Sequence, residues 1–407
     1  MSVNIQRLKE DIDTLSTIGR TIYGLSRPAF SDEDKQASDW LIQKMKEAGL
    51  EVHVDEAGNI RGRWGGEAGK PAVATGSHID TVNNAGHLDG ALGVLAGLES
   101  IRSIREEGVE LTHPVELISF SDEEGRFGSM VGSRAMAGLL TKEDVEGAVD
   151  VNGEKLTDCM AKNGFDPDGV LKAKENSKNF KAFVELHIEQ GPVLEQKQIP
   201  VGVVDGITGL FKWQVTLNGQ ANHAGTTPMS MRRDSFQGLV KFASRIDSIL
   251  KEHGKESSRT TIGSVQLYPG SPNVVPGQCV FTLEVRDTDQ EVLDRLEKVY
   301  YKSLHEMAEK IGLTVSINPL SAIQATPCSP EIVQQISDIA EKQKLDYLVM
   351  PSGAAHDSQN MAKITPTSMI FVPSIGGVSH SPDEATSLQD IEKGTNLLKS
   401  VLLELAL

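Results

Sequence analysis

Three acids stand side by side in "SFSDEEGRFG", Ser119 to Gly128, directly after the apolar run "VELIS". Adjacent carboxylates repel, and partial burial raises that cost, so Asp122, Glu123 and Glu124 imply a positive charge among them. An isolated triplet reads as a solvated acidic turn, but this one does not stand alone. "TGSHIDT" places His78 and Asp80 after an apolar strand pattern, and "GHLDGALG" places Asp89 before a glycine-rich helix start. "VELHIEQG" offers His187, Glu189 and Gln190, and "GGVSHSPDE" offers His380 after the last strand pattern. Any one of these histidines reads more readily as a helix cap or core partner than as a ligand. Together, three His and at least two carboxylates make a mixed nitrogen and oxygen donor set. Such a set suits Zn²⁺, Mn²⁺, Co²⁺ or Ni²⁺ rather than Ca²⁺.

Residues this far apart can converge at the end of one sheet, because ligand-binding groups of α/β proteins collect at the carboxyl ends of strands. The strand patterns are "EVHVDE", "PAVATGS", "HPVELISF", "AFVELHI" and "TSMIFVPS". Several are continuous apolar runs, as expected for strands covered by helices on both faces. Between them lie helical patterns. "SDEDKQASDWLIQKMKEAGL" starts at Ser31 as N-cap, keeps Trp40, Leu41, Met45 and Ala48 on one face, and stops at Gly49. The alternation predicts an α/β protein, an α/β/α sandwich around a mixed sheet. Between Thr208 and Leu320 the order becomes β-α-β-β-α-β, a two-layer α+β unit of its own. We therefore expect an inserted domain, 208–320, within a discontinuous main domain, 1–207 and 321–407. The flanks "VDGITGL" and "NPLSAIQATP" read as hinges.

A chain of 407 residues suits two domains. Forty basic against 57 acidic residues give a net charge of -17, which argues against nucleic acid and anionic membranes as partners. An anionic ligand must then be held by local Arg or metal. Cys159, Cys279 and Cys328 are scattered and read as reduced thiols of a cytoplasmic protein. The start "MSVNIQRLKEDIDTL" lacks the apolar core of a secretory signal, and no window approaches the ~18 to 20 apolar residues of a membrane span.

Taken in order, "GSHIDTV…HLDGALGVLAGLE", "DEEG…GSRAMAG", "VELHIEQGPVLE", "NHAGTTPMSMRRD", "NVVPG" and "PSGAAHD…GVSHSPDE" resemble the amidase, hydantoinase/carbamoylase family. These are dinuclear-metal amidohydrolases related to the aminoacylase and carboxypeptidase G group of metallopeptidases. The resemblance spans nearly the whole chain and is nearest in character to N-carbamoyl-L-amino-acid hydrolases and allantoate amidohydrolases. It implies two divalent ions per subunit, Zn²⁺ or Mn²⁺, with Co²⁺ or Ni²⁺ also compatible. Asp89 would bridge them; His78 and His187 would complete one, Glu124 and His380 the other. Glu123 would be the general base, and Asp80 an outer partner of His78. Asp122 is left as a solvated or capping acid. His187 stands where dipeptidase-type relatives are expected to carry an acid, which favours the carbamoylase branch. Asp89–Gly90 falls where the wider superfamily often shows a cis peptide.

For the inserted domain, the resemblance implies a lid that also builds a homodimer. His223 would reach the partner subunit's metal site and hydrogen-bond the scissile carbonyl oxygen; a surface turn His is the equal reading from the residues alone. Asn273 and Arg286 resemble the residues that hold the substrate carboxylate, Arg bidentately. A strand-end salt bridge from Arg286 to Glu284 or Asp287 stands beside that reading. Gln190 and the "PSGAAHD" loop, with Ser352, Gly353 and His356, would line the pocket. Arg232 and Arg233 read as pinning a helix start against Asp234. The loop after Gly125 is slightly shorter than in relatives, which bears on substrate size. Leu210 in "GITGLFKW" stands where the allantoate branch typically has Gln followed by a basic residue. An apolar residue there suits an N-carbamoyl-L-amino acid with a hydrophobic side chain. Allantoate is the main alternative substrate, a peptidase or aminoacylase a more distant one. A non-catalytic binding relative is disfavoured, because every ligand position and Glu123 are filled.

Overall fold

A computed structural model describes residues 2–407. The chain divides into two compact units, one of residues 1–205, 328–350 and 356–407, the other of residues 206–327 and 351–355.

The first unit is a mixed α/β fold. Its four central strands, Val115–Phe120, Ala72–His78, Phe180–Ile188 and Thr367–Val372, run parallel in that spatial order. Antiparallel strands flank them: Ile60–Trp64 and Glu51–Val54 beyond the first, Val201–Ile207 beyond the last. The sheet is mixed, as its sequence pattern predicts. The central strands are buried along almost their whole length because both faces are covered. Val73 faces a core shared with the helices Ala91–Glu106 and Leu388–Ala406, while Ala72 and Ala74 face a second cluster with Met136 and Met361. Ser31 caps the helix Asp32–Glu47 by accepting the Asp34 amide, and Leu41 and Met45 are buried on its inner face. The parallel direction matters for function: His78, Phe120, Ile188 and Val372 all end at one edge of the sheet, and each is followed by a loop that carries polar side chains.

The second unit is built on a five-stranded antiparallel sheet, ordered Arg259–Thr261, Gln278–Asp287, Gly209–Asn218 and Thr314–Ile323, with Val265–Tyr268 also paired to Gln278–Asp287. Strict alternation along Gly209–Asn218 and Gln278–Asp287 puts Phe211, Trp213, Val215, Phe281 and Leu283 against the helices Ser235–Ala243 and Gln290–Lys310. The other face is half exposed and carries Leu210, Lys212, Glu284 and Arg286.

Two expectations need correction. The first helix of the β-α-β-β-α-β order expected between Thr208 and Leu320 is two helices, Ser235–Ala243 and Ile246–His253, because Ser244 caps the first and turns its hydroxyl back onto the Lys241 carbonyl. "VDGITGL" and most of "NPLSAIQATP", at the flanks of the inserted unit, are strand, within Val201–Ile207, Gly209–Asn218 and Thr314–Ile323, held by cross-strand pairing despite their Gly and Pro content. The Asp89–Gly90 peptide is trans, the sole cis bond among the described residues being Tyr268–Pro269. No helix among the described residues is long and apolar enough to cross a membrane.

Candidate metal centre

Asp89 is the hub. It lies in the turn between the Ala72–His78 strand and the helix Ala91–Glu106, where Gly90 takes φ 62°, a left-handed conformation that glycine adopts without steric cost. His187 Nε2 lies 3.1 Å and His78 Nε2 3.7 Å from Asp89 Oδ1, and His380 Nε2 lies 3.2 Å from Asp89 Oδ2. His380 is also 3.4 Å from Glu124 Oε2. Two donor groups result, His78–Asp89–His187 and Asp89–Glu124–His380, each with ligand atoms within 4.8 Å of one another. Asp89 belongs to both.

The tautomers suit ligation. The His78 ring donates from Nδ1 to the Asp80 carbonyl at 3.1 Å, and His187 donates from Nδ1 to the Ile188 carbonyl at 2.9 Å. Both Nε2 lone pairs therefore face the carboxylates, and His187 Nε2 also accepts the Gly90 amide at 3.1 Å. A lone pair facing anionic oxygen is unfavourable unless a cation lies between them. Burial alone would lower His78, yet Glu123 and Asp80 raise it well above the usual imidazole value. Burial and the nearby Asp89 charge push Glu124 up to about 7, and its Oε1 is buried without a partner. His380, half exposed, is raised to about 9, chiefly by its hydrogen bond to Asp89. These groups fit divalent cations: the surplus of carboxylate is stabilised by positive charge, and the oriented imidazoles supply nitrogen donors.

Asp80 has a more specific role than a partner of His78. Its carboxylate lies 3.6 Å from His78 Nδ1 and accepts the amides of Glu123 at 3.3 Å and Glu124 at 3.2 Å. One acid thereby orients the histidine and the acidic pair together. Glu123 Oε2 stands 3.6 Å from His78 Nε2. Burial first, then the like charges of Asp357, Glu124 and Asp80, hold Glu123 well above the usual carboxylate range. Asp122 is not solvated. It is fully buried at φ 52°, and its Oδ2 accepts the Phe127 amide, which shapes the loop.

Gln190, also at positive φ, donates from Nε2 to Asp89 Oδ2 at 2.7 Å. Glu189 turns away to accept the Val193 and Leu194 amides. His356 does not line an open pocket: it is buried, with its ring 4.6 Å from that of His187. Beside it, Glu185 accepts from Ser77 Oγ through Oε1 and from Ser358 N and Oγ through Oε2, and with His187 and His356 it forms a third, fully buried donor group. A cleft of about 720 Å³ opens on Glu124 and is lined by Arg20, Asp80, Asn83, Arg126 and Asn152.

In the second unit, pairing of Asn222–His223 with Val274–Val275 sets Asn273 beside His223, and the Asn273 carbonyl accepts the Ala224 amide. His223 is exposed, and its Nδ1 accepts the amides of Gly225 at 3.0 Å and Thr226 at 3.2 Å. The ring proton is therefore on Nε2, an outward donor. Arg232 does not pin the helix start: it donates to the Ala224 and Thr227 carbonyls and holds the His223 loop, while Asp234 caps the helix. Arg286 bonds Glu284 through Nε and the Gly353 carbonyl through Nη1, both at 2.8 Å. Ser352 is buried, and its carbonyl accepts from Thr208.

Residues 74–404 match the model of peptidase family M20/M25/M40. The chain belongs to that family. It is 41% identical over 410 residues to an N-carbamoyl-L-amino acid amidohydrolase of Geobacillus stearothermophilus, covering 98% of each chain. It is 37% identical over 406 residues to an allantoate amidohydrolase of Escherichia coli, again covering 98% of each. A solved amidase of the hydantoinase/carbamoylase family from Burkholderia multivorans superposes with a TM-score of 0.93 at 35% identity, covering 100% of this chain and 98% of that one. The protein is an amidohydrolase of the carbamoylase and allantoate group. M20 enzymes are generally dinuclear, and the two donor groups sharing Asp89 offer candidate ligands. Five candidate ligands exceed what one tetrahedral ion takes. Elemental analysis of active protein, prepared without chelator, should therefore return two divalent ions per chain. Full activity with a single ion per chain would contradict this.

Sequence reasoning missed Glu384 and Ser379, which contact the Asp89 turn and are taken up below. The only signal was their place in the "SHSPDE" segment that carries His380.

Proposed function

We propose that the protein hydrolyses the ureido group of N-carbamoyl-L-α-amino acids, giving the amino acid, ammonia and carbon dioxide. The observation that carries this reading is the register of Leu210. It pairs with Arg286 on one side and Ile323 on the other, on the half-exposed face of the second unit's sheet. A guanidinium with an aliphatic neighbour suits a carboxylate next to an apolar side chain. Glu284 and the Gly353 carbonyl hold two of the Arg286 donors and orient the fork, leaving Nη2 for the substrate. Asn273 assists at the carboxylate. Gln190, Ser352 and Gly353 shape the pocket.

His78, Asp89 and His187 would hold one divalent ion, and Asp89, Glu124 and His380 the other; Zn²⁺ or Mn²⁺ suits these donors, as do Co²⁺ and Ni²⁺. When bound, the ions polarise the scissile carbonyl and acidify the attacking water. Glu123 takes the proton from that water and delivers it to the departing nitrogen. The C–N bond of the ureido group breaks, and the carbamic acid formed decomposes to ammonia and carbon dioxide. His223, donating from Nε2, stabilises the charge that develops on the carbonyl oxygen. We assign this role to the His223 of the partner subunit, in a homodimer built through the second unit acting as lid and dimerisation domain. Exposed Met229, Met231, Phe236, Val240 and Tyr268 on that unit supply apolar surface for such an interface. Three buried free cysteines fit a reducing, cytoplasmic setting.

The likeness to an allantoate amidohydrolase makes allantoate the second reading. Ammonia release from a panel of N-carbamoyl-L-amino acids, allantoate, 3-ureidopropionate and dipeptides, after metal reconstitution, separates the two. A buried polar substrate group without a partner costs ~1 to 3 kcal/mol, so a preference of roughly ten- to a hundredfold for a carbamoyl amino acid is expected. A higher kcat/KM on allantoate would reverse the assignment. Gain of allantoate activity by Leu210→Gln alone would identify that position as the selector.

A further inference from the structure

Asp89 must satisfy two groups of ligands at once, so its position relative to His380 needs a physical constraint. The structure assigns that task to Glu384. This side chain is 2% exposed, and its Oε1 accepts the amides of Leu88 at 2.8 Å and Asp89 at 3.0 Å. Both are buried donors that would otherwise lack a partner. Its Oε2 and Asp89 Oδ2 share the Ser379 hydroxyl, each at 2.9 Å. The Glu384 amide closes a turn on the Ser381 carbonyl, and this short turn begins next to His380, itself at φ 53°.

Glu384 thus ties the Asp89 turn to the His380 turn through main chain and side chain together. It touches no reacting atom and is a positioning residue. A second observation points the same way. Gly86 has no side chain where Glu384 enters, and a Cβ built there would collide with the Cβ, carboxyl carbon and Oε1 of Glu384. Gly86 is not at positive φ, so an alanine there acts on Glu384 rather than on the backbone.

The inference rests on the metal-centre reading, and its test separates the two. Divalent-ion binding by calorimetry, kcat, KM and the melting temperature in chelator are compared for Glu384→Ala, Glu384→Gln and Gly86→Ala. Loss of such an outer partner typically weakens ion affinity or activity ~10- to 100-fold. Glu384→Ala and Gly86→Ala should weaken one of the two ions in that range and lower kcat with little change in KM. Glutamine keeps an oxygen for the two amides and offers an N–H to Ser379, so Glu384→Gln should stay near wild type. Wild-type ion affinity and kcat in Glu384→Ala would overturn the role of Glu384. So would equal loss in Glu384→Gln, or a loss matched by a fall in the metal-free melting temperature. Absence of divalent-ion binding in the wild-type protein would instead overturn the metal centre itself.

Discussion

Glu123→Gln is expected to keep the fold and both ions yet to lose at least ~100-fold in turnover, the scale of a missing general base. Its main chain is held from both sides: the amide donates to Asp80, and the carbonyl accepts the Met130 amide and the Ser129 hydroxyl. Glutamine keeps those contacts and the side-chain volume, so the change isolates proton transfer. Burial and neighbouring acids raise Glu123 well above the ordinary carboxylate range, the direction of shift expected of a group that takes and returns a proton. Glu124→Gln tests the contrast. That residue belongs to the group with Asp89 and His380, so its loss should appear as weakened binding of one ion. Near-normal turnover of Glu123→Gln in a stopped assay, with two ions per chain, would move the base elsewhere.

His223→Ala should lower kcat roughly a hundredfold, because a well-placed donor to a developing oxyanion is worth ~3 kcal/mol. The side chain is exposed, and its imidazole accepts two local amides in its own turn, so the fold should not suffer. If the residue acts across a dimer, mixing inactive His223→Ala with inactive Glu123→Gln protein should restore part of the activity. A hybrid then has one composite site with both groups intact. No recovery, with subunit exchange verified by native mass spectrometry, would refute action in trans.

Much of the main fold is legible in the sequence for a plain reason. Runs such as "PVELIS" and "TSMIF" do not alternate apolar with polar residues and so present no polar face to expose; they become parallel strands covered on both sides. Polar residues directly after such runs lie at one sheet edge. That geometry follows from strand direction alone, and it is why His78, Glu124 and His187 can be singled out without coordinates. Glycine and proline do not keep most of "VDGITGL" and "NPLSAIQATP" out of strands, because inter-strand hydrogen bonds outweigh local preference.

What the sequence by itself determined is the inventory: which donors exist, and that each follows a strand or opens a helix. Only the tertiary structure decided how they are shared. Asp89 belongs to both donor groups because its turn meets His187 and Gln190 from one distant segment and Ser379, His380 and Glu384 from another. Asp122, one position from Glu123, is instead buried and spent on the Phe127 amide, since the tight turn at φ 52° aims it inward. Glu384 lies almost 300 positions from Asp89 and has no local pattern that sets it apart from any surface glutamate. Its role depends on a contact between distant segments, and local periodicity carries no information about such contacts.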